Sequence, residues 1–254
     1  MTGYGAATRS PLVGVAVTLP LRLLYNVGLM VPGNDTMNAA DLLTRIVPQF
    51  GGLKAVLIAN AVLAVTSLAM LILVFHRGLF RLSWWALLCL EGIVYGVIMA
   101  LGVQWILGQA HLLDVAGASA QAVSGAAAAA DAVKAAPRTP LFRAMVLSAG
   151  AGYWEELVFR LAAVGIPVYS ALRFGSQERG AKILRVGIVG FLAVAASSLI
   201  FSALHYVGGD EVPGAYSFWY RALSGVFFSS LFLTRGFAVA AWTHFLYDVV
   251  VMSM

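Results

Sequence analysis

A chain of 254 residues with 61% hydrophobic and only 11% charged side chains and a mean hydropathy of +0.89 is excluded from the ordinary soluble class, in which about 25% of residues are charged. The net charge of +5 does not point to nucleic acid, because the basic residues stand in small groups at the ends of apolar runs, as topology signals do. The single cysteine, Cys89, excludes an internal disulfide and a cysteine-based metal cluster.

In chain order, apolar runs lie near 11–31, 54–76, 84–110, 140–172, 185–205, 215–234 and 236–254. About 20 apolar residues cross a bilayer core of about 30 Å. The pattern predicts an all-α, multi-pass transmembrane helical bundle of about seven spans with a polar intramembrane cavity. Only Arg9 precedes the first run and no small-residue cleavage pattern follows it, so that span is expected to be retained. Gly92 and Gly96 form a GxxxG in the third run, read as intramolecular packing in preference to a homodimer seam. The Ala-rich stretch from Val115 to Pro137 holds no Leu, Ile or Phe and is read as a helical or flexible loop. It divides the single membrane domain into N-terminal helices with this loop, 1–139, and a C-terminal core, 140–254. The fourth run is too long for one straight crossing. A break is expected at Gly165-Ile166-Pro167, where proline removes a helical hydrogen bond, with an interfacial helix beyond it.

Orientation follows from Lys and Arg at the span ends. With the N-terminus inside, inner segments hold Arg9, Arg77, Arg81, Arg173, Arg179, Lys182, Arg185 and Arg235 against one acid, Glu178. Outer segments hold Arg45, Lys54, Lys134, Arg138 and Arg143 against six acids, among them Asp210 and Glu211. The chain is therefore expected in a bacterial or archaeal cell membrane with its N-terminus cytoplasmic.

A charge within a bilayer costs about 2.5–3.5 kcal/mol on insertion scales, so those that remain mark function. Here they are Arg22, Glu91, Glu155, Glu156, Arg160 and Asp248, joined by His205 and His244. Arg22 and Arg221 lie toward span ends and are expected to snorkel outward. Glu91 is read as a partner for Arg22 or for a hydroxyl. Glu156 and Arg160 stand at i and i+4, which predicts a salt bridge on one helical face. Glu155, rotated from Glu156 by about 100° in an α-helix, is expected to point elsewhere as the unpaired carboxylate, suited to general acid–base work. His244 and Asp248, and Phe201 and His205, repeat the i, i+4 spacing. A lone membrane histidine is as readily an interhelical hydrogen-bond partner as a catalyst. Four ionisable residues on three helices favour one site.

The ordered set Glu155-Glu156-Leu157-Val158-Phe159-Arg160, Phe201-Ser202-Ala203-Leu204-His205 and His244-Phe245-Leu246-Tyr247-Asp248 resembles the EExxxR, FxxxH and HxxxN/D motifs of the CPBP (Abi) intramembrane protease family, which includes the type II CAAX prenyl endopeptidases. The resemblance covers about residues 140–254; residues 1–139 match only as generic membrane helices. It implies that Glu155 and His205 activate a water and that His244 and the last-motif residue stabilise the oxyanion. By the same resemblance Glu156 and Arg160 are structural and Phe201 packs against the site. The last position is Asp248, where the prenyl endopeptidases have Asn. An ionised aspartate cannot donate to an oxyanion, so Asp248 is expected to orient His244, as carboxylates do for histidines in soluble hydrolases.

The leading expectation is an intramembrane endopeptidase that needs no cofactor and cleaves a membrane-associated protein or peptide, with the lipid bilayer as its medium and no nucleic-acid partner. One alternative keeps Glu155, His205, His244 and Asp248 as ligands of a divalent metal, although no HExxH helix is present. A second is a non-catalytic immunity- or transport-type protein using its buried charges, Glu91 included, as a relay; the internal repeat common in transporters is not evident.

Overall fold

The computed structural model describes residues 3–31, 38, 41, 48–115, 139–207 and 214–253, and among these every regular element is helical. In chain order they are α1 (Tyr4–Thr8), α2 (Pro11–Val17), α3 (Leu19–Gly28), α4 (Pro48–His76), α5 (Trp84–Val115), α6 (Leu141–Gly150), a π-helical segment (Ala151–Gly165), α7 (Ile166–Arg173), α8 (Arg179–Leu204), α9 (Ala215–Arg235) and α10 (Phe237–Ser253). Most of the Ala-rich stretch, 116–138, and the acidic pair Asp210-Glu211 lie outside the described residues.

Helices occupy all seven predicted runs. Among the described residues four helices, Pro11–Gly28, Leu57–His76, Trp84–Gln109 and Arg179–Leu204, are long and apolar enough to cross a membrane. Their surface is inverted relative to a soluble protein: Ile58, Val62 and Val65 of α4 and Ile183, Leu184 and Phe191 of α8 are exposed. Apolar side chains on that scale are stable against hydrocarbon and costly against water. The first run is two helices. Pro20, lacking an N–H, sits in the first turn of α3, and the Thr18 hydroxyl between the helices donates to the carbonyls of Gly14 and Val15.

The last helix, α10, is the hub, packed against α5, α6, α9 and the π-helical segment. Its buried Ala238, Ala240 and Ala241 allow this close approach. Gly92 and Gly96 of α5 lie against Thr243 and Tyr247 of α10, so the GxxxG serves packing within the chain. Gly152 rests on the Ala241 carbonyl, where a Cβ would come within 2.6 Å of the oxygen. Gly236, at φ +94°, makes the reversal from α9 into α10 that an L side chain would strain.

Two expectations are corrected, and a third holds in part. Arg22 does not snorkel: it is 1% exposed, bonds the Asn60 carbonyl at 3.3 Å and Ser67 Oγ at 3.4 Å, and stands over the Tyr153 ring. Acceptors supplied by α4 make the interior a better solvent for it than a long reach to the interface. Glu91 takes the hydroxyl partner expected of it, accepting from Tyr4 at 2.6 Å, while its cation is Arg235 at 2.5 Å and not Arg22. Arg9 Nε reaches the neighbouring Thr234 carbonyl at 2.8 Å, so Arg9 and Arg235 share one end of the bundle. The chain also does not break at Gly165-Ile166-Pro167. Both Gly165 and Ile166 keep right-handed helical angles, and Pro167 falls in the first turn of α7, where its missing N–H is tolerated.

Candidate active site

The first two candidate carboxylates lie on the π-helical segment. Its i→i+5 hydrogen bonds make a wider helix than the α-helix, a form that recurs at functional sites in shorter stretches. Successive residues are rotated less about this axis, and Gly152 brings the segment onto α10. Glu155 and Glu156 both reach His244, but at different nitrogens, and it is Glu156 that pairs with Arg160.

His244 is buried and its two nitrogens meet different carboxylates. Nδ1 lies 2.8 Å from Oε1 of Glu156. Nε2 faces Oδ2 of Asp248 at 3.4 Å and Oε2 of Glu155 at 3.8 Å. The Phe228 ring of α9 stacks on the imidazole with centroids 4.5 Å apart and planes within 20°. The sequence reading gave Asp248 alone the task of orienting His244; the shorter contact is made by Glu156, so Glu156 is more than a partner of Arg160.

Glu156 is also the counter-ion of Arg160, whose Nε lies 3.4 Å from Oε2, with both side chains fully buried. That contact lacks hydrogen-bond geometry. The guanidinium is instead held between aromatic faces, 4.5 Å from the Phe201 centroid and 5.4 Å from that of Phe228. Cation–π attraction strengthens when the cation is desolvated. This gives Phe201 a physical role: its ring contacts Arg160, His205 at 4.9 Å and His244 at 6.2 Å.

His205 follows the last residue of α8. Its Nδ1 lies 2.8 Å from the Phe201 carbonyl, an acceptor only, so Nδ1 carries the proton and a neutral ring would present Nε2 as an acceptor. Its ring packs edge-on against Phe201, which in turn stands 6.2 Å from the His244 ring. Glu155 is 8% exposed. Its Oε1 accepts a 2.6 Å hydrogen bond from the side-chain amide of Asn38, whereas Oε2 is buried without a hydrogen-bond partner among the described residues.

Sequence reasoning missed Asn38 and Phe228. Neither belongs to a spaced motif; the only signal was an amide in the polar connection after the first run and an aromatic on a neighbouring apolar one. Among the described residues no three or more of His, Cys, Asp and Glu are grouped so that they could hold a metal ion.

An apolar groove of 580 Å³ opens beside the cluster, lined by Val158 and Phe159 of the π-helical segment, Pro167 of α7, and Leu192, Ala196 and Leu204 of α8, with others. Phe159 connects groove and site, since its ring lies 5.3 Å from that of Phe201.

Comparison with known proteins identifies one family: the model described as type II CAAX prenyl endopeptidase Rce1-like matches residues 137–250. No curated protein and no solved structure matches the chain.

Proposed function

We propose that this integral membrane protein, whose residues 137–250 match the model described as type II CAAX prenyl endopeptidase Rce1-like, is a glutamate-dependent intramembrane endopeptidase. It hydrolyses a peptide bond of a membrane-associated protein or peptide, with catalytic Glu155, His205, His244 and Asp248 supported by Glu156, Arg160 and Phe201. The observation that carries this reading is the approach of Glu155 Oε2 to His244 Nε2, 3.8 Å apart in a buried setting. One is an oxygen able to take a proton; the other, in the protonated ring, bears an N–H able to stabilise negative charge.

A water between Glu155 and the scissile carbonyl gives its proton to Glu155 as its oxygen bonds to the carbonyl carbon. The carbonyl oxygen becomes an oxyanion, to which His244 Nε2–H donates. Glu155 then returns the proton to the leaving nitrogen as the C–N bond breaks. Neutral His205 accepts a second hydrogen bond from the water through Nε2. Glu156 holds Nδ1 of His244 and Asp248 flanks Nε2, so the ring keeps its orientation through the cycle.

The apolar groove takes the isoprenyl chain of the substrate, leading it from the lipid to Phe159 at the edge of the site. In this reading the seven helical runs cross the membrane with the N-terminus inside, an orientation favoured by the Lys and Arg bias. A quenched, prenylated CAAX-box peptide incubated with purified protein in lipid nanodiscs tests this function. Cleavage within the box is expected, and its absence in Glu155→Gln.

A further inference from the structure

Asn38 lies beyond the end of α3, outside the segment that the family model matches, yet its side chain contacts Glu155. An ionised carboxylate only accepts, so the amide nitrogen faces it, and Nδ2 donates to Oε1 at 2.6 Å. Asn38 is itself anchored: its backbone N–H donates to the Tyr25 hydroxyl at 3.0 Å, and that hydroxyl reaches Asp41 Oδ2 at 3.2 Å. Tyr25 is fully buried on α3, its ring against Gly150, where a Cβ would come within 2.6 Å of Cε2. A bonded path thus runs from a rigid N-terminal helix to the carboxylate.

The terminal torsion of a glutamate is broad and roughly two-fold. Without a hold the two oxygens exchange places, and the carboxylate plane turns away from His244. With Oε1 engaged by Asn38, the other oxygen is fixed toward His244. We propose that Asn38 is a positioning residue of the active site. Its amide pins one oxygen of Glu155 so that the other receives the proton of the attacking water, which makes the N-terminal part, 1–139, a contributor to catalysis. This rests on the proposed role of Glu155. A group displaced by about 1 Å from its productive geometry can cost about 10²-fold in rate.

Two readouts test it on the full-length protein in nanodiscs. In cleavage of the quenched prenylated peptide, Asn38→Ala and Asn38→Asp are expected to lower kcat by about 10- to 100-fold with KM nearly unchanged, and to leave the melting temperature near that of the parent. The second needs no substrate: dicyclohexylcarbodiimide, which couples to neutral carboxyls, is read at Glu155 by mass spectrometry. Removing an N–H donor withdraws stabilisation from the ionised form, so labelling in Asn38→Ala is expected to rise by about tenfold. Parental kcat and parental labelling in both variants would overturn the role of Asn38. A parent protein that does not cleave the peptide would overturn the functional reading instead, and the labelling experiment would still decide whether Asn38 holds the carboxylate.

Discussion

The Nδ1 of His244 lies 2.8 Å from Oε1 of Glu156, and the same carboxylate faces Arg160 through its other oxygen at 3.4 Å. Glu156 therefore links a cation held by two aromatic rings to the histidine that faces Glu155. Its substitution should disturb folding and chemistry together, whereas substitution of Arg160 should act first on folding. Arg160→Ala leaves Glu156 without its cation in a low-dielectric interior, a loss of about 3–5 kcal/mol. Thermal unfolding of the purified protein should show a marked fall in melting temperature. An unchanged melting temperature would mean that the pair contributes nothing to stability.

The contact of Gly152 with α10 makes a second prediction. A Cβ there would come within 2.6 Å of the Ala241 carbonyl oxygen and 3.0 Å of Phe245 Cβ. Gly152→Val has to push the π-helical segment off α10, with an overpacking cost of about 1–3 kcal/mol. Both carboxylates then move away from His244. Lower thermal stability together with reduced peptide cleavage is expected; parental values for both would show that the close approach is not required.

Much of this organisation was legible in the sequence. Apolar run length located helices, four of which among the described residues are long and apolar enough to cross a membrane, because hydrocarbon thickness sets a length that a sequence displays directly. The i, i+4 spacings located the charges that meet. What spacing did not show was the direction of Glu155. Its carboxylate meets one nitrogen of His244 while Glu156 meets the other, on a π-helical segment whose winding the i, i+4 spacing does not display. The burial of Arg22 was hidden for a related reason: Asn60 and Ser67, which receive it, lie in a different run. Asn38 has no periodicity to betray it, because its position is fixed by Tyr25 and Asp41 and not by a helix.

The apolar groove predicts substrate preference. Ala196→Trp fills it from α8 without touching the polar cluster. It is expected to raise KM for the prenylated peptide while leaving kcat within a few fold. Competition with a non-peptide isoprenyl lipid should weaken in parallel. Equal KM in the parent and the variant would remove the groove from substrate binding.

The charge bias predicts sidedness. With Cys89 replaced by Ala, a cysteine at Gly180, in the first turn of α8, should be protected from a membrane-impermeant maleimide applied to intact spheroplasts. A cysteine at Gly214, ahead of α9, should react. The reverse pattern would place the N-terminus outside.

The central claim is that Glu155 takes the proton of the attacking water, and Glu155→Gln tests it most directly because it keeps the side chain's size and removes only its basicity. In nanodiscs, with the quenched prenylated peptide as substrate, the account predicts a parental melting temperature and a loss of about 10² to 10⁴ in kcat. A folded Glu155→Gln protein that cleaves the peptide at the parental rate would contradict it.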